Sequence, residues 1–320
     1  MSESKKTVVV TGGAGFIGSN LGEALISSGY RVLAIDNFDD TYETRFKEEH
    51  IKKLLSDKNF VFERADIRDR EKMLALFQRE KPESVIHLAA KADTRAAVED
   101  PYPYVDNNIN GSLSIFDAAR KTEVAHIVNV SSSSVYGNMP TPWSEAVITD
   151  EPISPYGASK RAVELFARSY VHNFKIPITS LRYFNVYGEH NRPGMVPYKW
   201  AKALLKGEEI EISGKGDRKR DYTYVGDTVR ATMLALEKPN GYQTFNIGNN
   251  KPLSLRELLA VFEAVIGVKA KVRERESHNA SVEETYADIT LAGKVLGWKP
   301  EISIEEGVTR LVEWIRAERL

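Results

Sequence analysis

The chain has 320 residues, 42% of them hydrophobic, and its 44 Lys+Arg against 45 Asp+Glu leave a formal charge of -1. That length buries a substantial core in one large domain or two intimately joined ones, and the charge balance provides no overall field to draw the chain to nucleic acid or to an acidic membrane surface. With no cysteine, disulfides, thiolate metal sites and a cysteine nucleophile are excluded, and no apolar run approaches the roughly 20 residues of a membrane helix.

The first residues, Met1 to Lys6, lead straight into an apolar strand without the hydrophobic stretch of a signal peptide, so the cytoplasm is the expected compartment. Val8-Val9-Val10-Thr11 predicts a buried strand, Gly12 to Gly18 a glycine turn, and Leu21, Ala24, Leu25 and Ile26 the face of a following helix. This is the pattern of a dinucleotide-binding turn: Gly12 allows the tight turn, Gly15 lets backbone amides approach a pyrophosphate, and Gly18 lets the helix pack closely on the strand. A glycine turn used only for packing is the plain alternative. Arg31 to Ile35 forms the next strand and ends at Asp36, whose carboxylate is placed to accept the adenosine ribose hydroxyls and to repel a 2′-phosphate, favouring NAD over NADP. Asp36 reads otherwise as a solvated turn residue.

Phe60 to Ile67 predicts a further strand with Asp66-Ile67 at its end, where an adenine ring would rest; Asp66 equally suits a helix cap. Val85 to Ala90 is another apolar run, its small residues letting a cofactor lie against the sheet end, with His87 read as a core residue rather than a ligand. Repeated strand-helix alternation predicts an α/β fold, a Rossmann-type doubly wound parallel sheet with right-handed crossovers and ligands at the strand C-terminal ends. Ile127 to Val130 leads into Ser131, Ser132, Ser133 and Ser134 at that same rim. Tyr156 and Lys160 follow, four residues apart on one helix face, a spacing that brings an ammonium near a phenol and favours its ionised form. An unperturbed tyrosine titrates at about 10. Such pairs are common on exposed helix faces, so the surrounding residues decide.

Those residues resemble the extended short-chain dehydrogenase/reductases that act on nucleotide sugars. The resemblance spans nearly the whole chain and is carried by Thr11 to Gly18, Asp66-Ile67, His87 to Ala90, Asn107 to Gly111, Ser131 to Gly137, Tyr156 to Lys160, Leu181 to Asn185 and Arg220-Asp221-Tyr222. It is closest to the sugar-nucleotide 4-epimerases. It implies Ser132 as the catalytic hydroxyl, Tyr156 as the base and Lys160 on the nicotinamide ribose. The cofactor residues it implies are Gly12, Gly15, Phe16, Ile17, Gly18, Asp36, Asn37, Asp66, Ile67, Leu88, Ala89, Ala90, Lys91 and Asn108, with Tyr156 and Lys160. On the substrate side it implies Ser132, Ser133, Asn185, Arg192 and Arg220, the last on the UDP diphosphate.

Similar dehydratases carry an acidic pair after the catalytic hydroxyl, and the similar decarboxylases a glutamate where this chain has Ser134; with Ser133 and Ser134 there, the expected outcome is oxidation at carbon 4 and return of the hydride to the other face. Glu189 to Pro197 resembles the Arg-Pro-x-Met-Ala-Pro run of UDP-glucuronate 4-epimerases, which implies that Arg192 grips the uronate carboxylate; a surface ion pair is the other use of a loop arginine. The resulting expectation is an NAD-dependent, metal-free 4-epimerase converting UDP-glucuronate to UDP-galacturonate, with UDP-glucose 4-epimerase and a catalytically silent NAD-binding sensor as alternatives. Residues 1–180 are expected to form the NAD-binding domain and 181–320 an interleaved nucleotide-sugar lobe. Helices over Tyr102 to Arg120 and Pro155 to Phe174 are expected to pair across a homodimer, as in similar proteins. One stretch departs from the family: where many epimerases carry Arg-x-Gly-Asp or Gln-x-Gly-Asp ahead of Tyr286-Ala287-Asp288, this chain has His278-Asn279-Ala280-Ser281.

Overall fold

The computed structural model describes residues 5–276 and 282–317; the departing stretch His278 to Ser281 lies outside them. Strands and helices alternate as β1 Thr7–Thr11, α1 Phe16–Ser27, β2 Arg31–Asp36, α2 Thr44–Lys52, β3 Phe60–Arg64, α3 Arg70–Glu80, β4 Ser84–His87, α4 Thr94–Glu99, α5 Tyr102–Tyr104, α6 Gly111–Lys121 and β5 His126–Ser132. After a long loop come α7 Pro155–Phe174, β6 Ile178–Tyr183, β7 Asn185–Tyr187, α8 Val196–Lys206, β8 Glu209–Ser213, β9 Lys219–Tyr224, α9 Val225–Leu236 and β10 Tyr242–Ile247. The chain closes with β11 Pro252–Ser254, α10 Leu255–Ile266, β12 Lys271–Arg275, α11 Thr290–Leu296 and α12 Ile304–Ala317.

Seven strands form one parallel sheet in the order β10-β6-β5-β4-β1-β2-β3. Its central strands are apolar on both faces because helices cover both: Val8 and Val10 belong to one buried cluster and Val9 to the other. Strand order reverses between β1 and β4, where a doubly wound sheet opens a crevice. Thr11 is level with His87, and His87 with Asn129, so the turns after β1, β4 and β5 share one rim. A three-stranded sheet, β11-β9-β7, and the pair β12-β8 build the second lobe beside it.

Local chemistry fixes the elements that matter for this rim. Helix α7 starts where the Ser154 hydroxyl accepts from the Gly157 amide at 3.1 Å, with Pro155 preset for the first turn, and stops at Lys175 in the left-handed region. The continuous helix expected over Tyr102 to Arg120 is interrupted: Val105–Asn110 takes the wider π form between α5 and α6. Such widening turns an extra side chain inward, and here Asn108 uses it, accepting from the Lys91 amide at 2.8 Å and donating to the Lys91 carbonyl at 3.0 Å and to Ser159 Oγ at 2.9 Å. In the second lobe Asp221 is fully buried, and its carboxylate takes the amides of Asn249, Asn250 and Ala287 at 2.5, 3.0 and 3.0 Å. Desolvation pushes it up to about 6 despite those three donors. Among the described residues no helix is long and apolar enough to cross a membrane.

Candidate active site

A cavity of about 450 Å³ lies along the shared rim, between the large sheet and the second lobe. Every residue expected at the cofactor or the substrate lines it, except Asp66 and Asn108. Those two stand one step behind. Asp66 accepts from Asn37 Nδ2 at 3.0 Å, steadying a residue that does line the cavity, and Asn108 holds the backbone of Lys91. Asp66 caps no helix; that part falls to Asp69, which accepts the Lys72 amide at 2.9 Å.

At one end, Gly12 sits at φ +70°, and a Cβ there would lie 3.0 Å from the Ala89 amide nitrogen. Gly18 has its closest neighbour in the carbonyl of Gly12, so it permits the helix to abut the turn itself rather than the strand. The N-terminus of α1 has no side-chain cap and no acidic residue in its first turn. Open amides on the positive end of a helix suit a phosphate anion. Beside them Asp36 is buried, its Oδ1 accepting from the Phe38 amide at 2.9 Å and from Lys47 Nζ at 3.3 Å. These residues fit a dinucleotide. His87 stays in the core, bridging Thr11 Oγ1 at 2.7 Å and Ser112 Oγ at 2.9 Å, with burial pushing it down to about 3.

At the other end are Ser132, Tyr156 and Lys160. Ser132 takes the Ser134 amide at 3.1 Å, and the Tyr156 ring meets Tyr104 edge-on, with centroids 6.3 Å apart. The spacing of Tyr156 and Lys160 predicts that the ammonium favours the phenolate, but the structure distributes the work differently. Burial raises the phenol above its ordinary value, while a hydrogen bond with Ser132 and the charge of Arg192 pull it back. Lys160 points its ammonium at the Val130 carbonyl, 2.8 Å away; burial pushes it down to about 8 and the Glu164 carboxylate opposes the shift. Glu164 is itself fully buried, held by Arg182 at 2.9 and 2.8 Å and by Ser131 Oγ at 2.6 Å, which ties α7 to β5 and β6 directly behind the site.

Among the described residues five cations line the cavity: Lys47, Lys91, Lys160, Arg192 and Arg220. Lys47 and Lys91 meet carboxylates, and Arg220 donates to the backbone carbonyls of Lys219, Val282 and Glu283. Among the described residues Arg192 makes one long hydrogen bond, 3.4 Å to the Ala92 carbonyl. Its guanidinium carries five N–H donors and lines a cavity whose described carboxylates are Asp36, the last residue of β2, and Asp39, on the loop after it. Among the described residues no group of His, Cys, Asp and Glu is arranged to hold a metal ion. Sequence reading overlooked that loop and the helix after it: Asp39, Thr41 and Tyr42, with Lys47 on α2, line the cavity too, and their spacing follows no helical or strand period by which they could be singled out.

A parallel doubly wound sheet with a glycine turn and a Ser-Tyr-Lys set on one rim defines an extended short-chain dehydrogenase/reductase. The family model for GDP-mannose 4,6 dehydratase matches residues 9–311, and the chain belongs to that family. It is 40% identical over 307 residues to UDP-glucuronate 4-epimerase of Thermodesulfobacterium geofontis (strain OPF15), a match covering 96% of this chain and 95% of the relative. Among solved structures it resembles UDP-glucuronic acid 4-epimerase from Bacillus cereus in complex with UDP-glucuronic acid and NAD, with TM-score 0.92, 34% identity and coverage of 98% and 99% of the two chains. The UDP-glucose 4-epimerase of Thermotoga maritima with UDP-glucose also matches, with TM-score 0.90, 34% identity and the same coverage.

Proposed function

We propose that this chain is an NAD-dependent UDP-glucuronate 4-epimerase that makes UDP-galacturonate through a 4-keto sugar. The 40% identical relative is a UDP-glucuronate 4-epimerase, which supports the uronate, while the solved uronate and neutral-sugar enzymes are alike at 34% identity, so a residue in the site has to carry the choice. Arg192 does. It is a guanidinium lining the cavity with one long hydrogen bond among the described residues, and a carboxylate is the group that satisfies a planar fork of donors bidentately. A neutral hydroxymethyl group would leave those donors unpaired. The side chains of Ser133 and Ser134 also distinguish this chain from the family's dehydratases, since no carboxylate follows Ser132 to expel water.

NAD, when bound, supplies the hydride acceptor at carbon 4 and a positive ring beside the phenol. The chain's own residues do the rest. Tyr156 removes the proton from the sugar 4-hydroxyl and gives it back, Ser132 orients that proton by its hydrogen bond, and Lys160 holds the ribose hydroxyls. Gly12, Gly15 and the α1 N-terminus take the pyrophosphate, Asp36 the adenosine ribose, and Arg220 the UDP diphosphate. Residues 1–180 make up the NAD-binding domain, to which β10 returns, and 181–320 the interleaved sugar-nucleotide lobe. An assay of purified protein with UDP-glucuronate and UDP-glucose, each with NAD, tests this reading; turnover of UDP-glucose alone overturns the uronate assignment, and no turnover of either favours a sensor.

Asp36 should make NAD bind more tightly than NADP. Replacing it by Asn keeps the acceptor for the Phe38 amide but removes the charge that repels a 2′-phosphate, leaving Lys47 beside that position, so the NAD-to-NADP affinity ratio should fall about tenfold, the effect of roughly 1.4 kcal/mol. Titration of both cofactors on wild type and Asp36→Asn checks this; equal affinities in the wild type count against the role.

Assembly follows from exposed apolar side chains. Tyr102 is 81% exposed, Leu165 51% and Phe166 41%, and they sit on the two helical segments expected to pair in a cytoplasmic homodimer. Large apolar patches on a surface mark an interface. Sedimentation at micromolar concentration should give a dimer, and Leu165→Glu should shift it to monomer; a monomeric wild type refutes the pairing.

A further inference from the structure

The loop between β2 and α2 is built as a strap across the cleft. Strands β2 and β4 flank β1 on either side, so with adjacent strands about 4.8 Å apart their ends stand about 10 Å from each other, and the glycine turn rises between them. Lys91, from the loop after β4, meets Asp39, from the loop after β2, with Nζ 3.0 Å from Oδ2. Both residues line the same cavity as the glycine turn. The ion pair therefore joins the loops on either side of that turn.

The strap is stiff at its root and tip. Asp39 Oδ1 accepts from the Thr41 amide at 3.0 Å and from the Thr41 hydroxyl, which leaves Oδ2 aimed at Lys91. Lys47 Nζ ties the Asp39 carbonyl, at 3.1 Å, to Asp36 at 3.3 Å. Burial pushes the Asp39 carboxyl up, and the Thr41 hydroxyl and Lys91 more than reverse this, keeping it charged at neutral pH. On the far side, the Ala92 carbonyl next to Lys91 receives Arg192. From the same loop, Tyr42 lines the cavity, its ring against Phe46 and under Lys47. Its hydroxyl is buried and has no hydrogen-bond partner among the described residues. A buried phenol O–H left unmade costs free energy that a ligand acceptor can recover.

We propose that Asp39, Lys91 and Tyr42 form a cofactor strap: the Asp39–Lys91 pair closes the cleft over the bound dinucleotide, and the Tyr42 hydroxyl donates to one of its anionic oxygens. The inference rests on the reading of this site as an NAD-dependent epimerase, in which the same cofactor molecule must give back what it took. A partly exposed ion pair is individually weak, so the strap opens for loading, and it is tightened by the contacts of what lies under it. The expected consequence is slow release rather than fast capture, the usual place for affinity to be set.

The test uses the full chain loaded with NADH, whose fluorescence reports release when excess NAD is added. Asp39→Asn and Tyr42→Phe change one charge and one oxygen respectively. Each should speed NADH release about tenfold, with association altered much less, and each should copurify with less NAD than wild type. Because both act in one closure, the double variant should release more slowly than the product of the two single effects. Release rates within about twofold of wild type in both variants overturn the strap. If the wild type epimerises UDP-sugars with retained NAD while both variants hold NADH equally well, the strap alone falls; a wild type that binds no NADH removes the cofactor reading together with it.

Discussion

Tyr156→Phe should keep the fold and NAD binding and lower turnover by roughly 100- to 10,000-fold, the range for losing a positioned general base. The residue is half-buried and its ring packs edge-on to Tyr104, so removing one oxygen leaves that contact intact. The pH profile carries the sharper signature. Burial raises the phenol, while Ser132 and Arg192 lower it; a phenol with a raised value stays protonated through the neutral range and ionises only as pH rises, so wild-type turnover should climb with pH along an acid limb. That limb should vanish in Tyr156→Phe, since the titrating oxygen is gone. Ser132→Ala should move the limb to higher pH by removing a hydrogen bond that lowers the phenol. Turnover of Tyr156→Phe within a few-fold of wild type, or an unchanged acid limb, rejects the assignment.

The fold was legible because its signals are periodic. Val8-Val9-Val10 and Val85-Ile86 read as buried strands and occupy the sheet centre, and the alternation with helices dictates the parallel order. The rim was legible because chemistry there depends on residue type at fixed spacing, as in Gly12 to Gly18 or Tyr156 and Lys160. What the spacing did not carry was direction. Tyr156 and Lys160 do share a helix, yet the ammonium goes to the Val130 carbonyl on β5, and the guanidinium that acts on the phenol comes from Arg192, 36 positions later in the sequence. The π stretch at Val105–Asn110 has no sequence period of its own and appears only when Asn108 must reach Lys91. The loop after β2 escaped for a related reason. Asp39, Thr41 and Tyr42 are turn residues by composition, and their placement follows from a lysine on another loop.

Arg192→Ala should damage UDP-glucuronate far more than UDP-glucose. On the proposed reading the guanidinium and the sugar carboxylate pair inside the cavity, and removing one partner of such a buried pair costs about 2 to 5 kcal/mol, or roughly 30-fold to several thousand-fold in catalytic efficiency. A neutral sugar makes no such pair and should lose little. The phenol adds a smaller loss common to both substrates, because Arg192 also lowers Tyr156; the difference between the sugars isolates the carboxylate. A second consequence follows from the intermediate. The 4-keto form of a uronate is a β-keto acid, and a carboxylate free to rotate can align its breaking bond with the ketone, so the mutant should leak a decarboxylated pentose product that the wild type suppresses. Arg192→Lys keeps the charge without the fork and should recover part of the efficiency while still leaking. The measurements are kcat/KM for wild type and both variants on the two sugars, with the pentose product followed alongside. Equal losses on both substrates, or wild-type activity confined to UDP-glucose, move the assignment to the neutral-sugar epimerase.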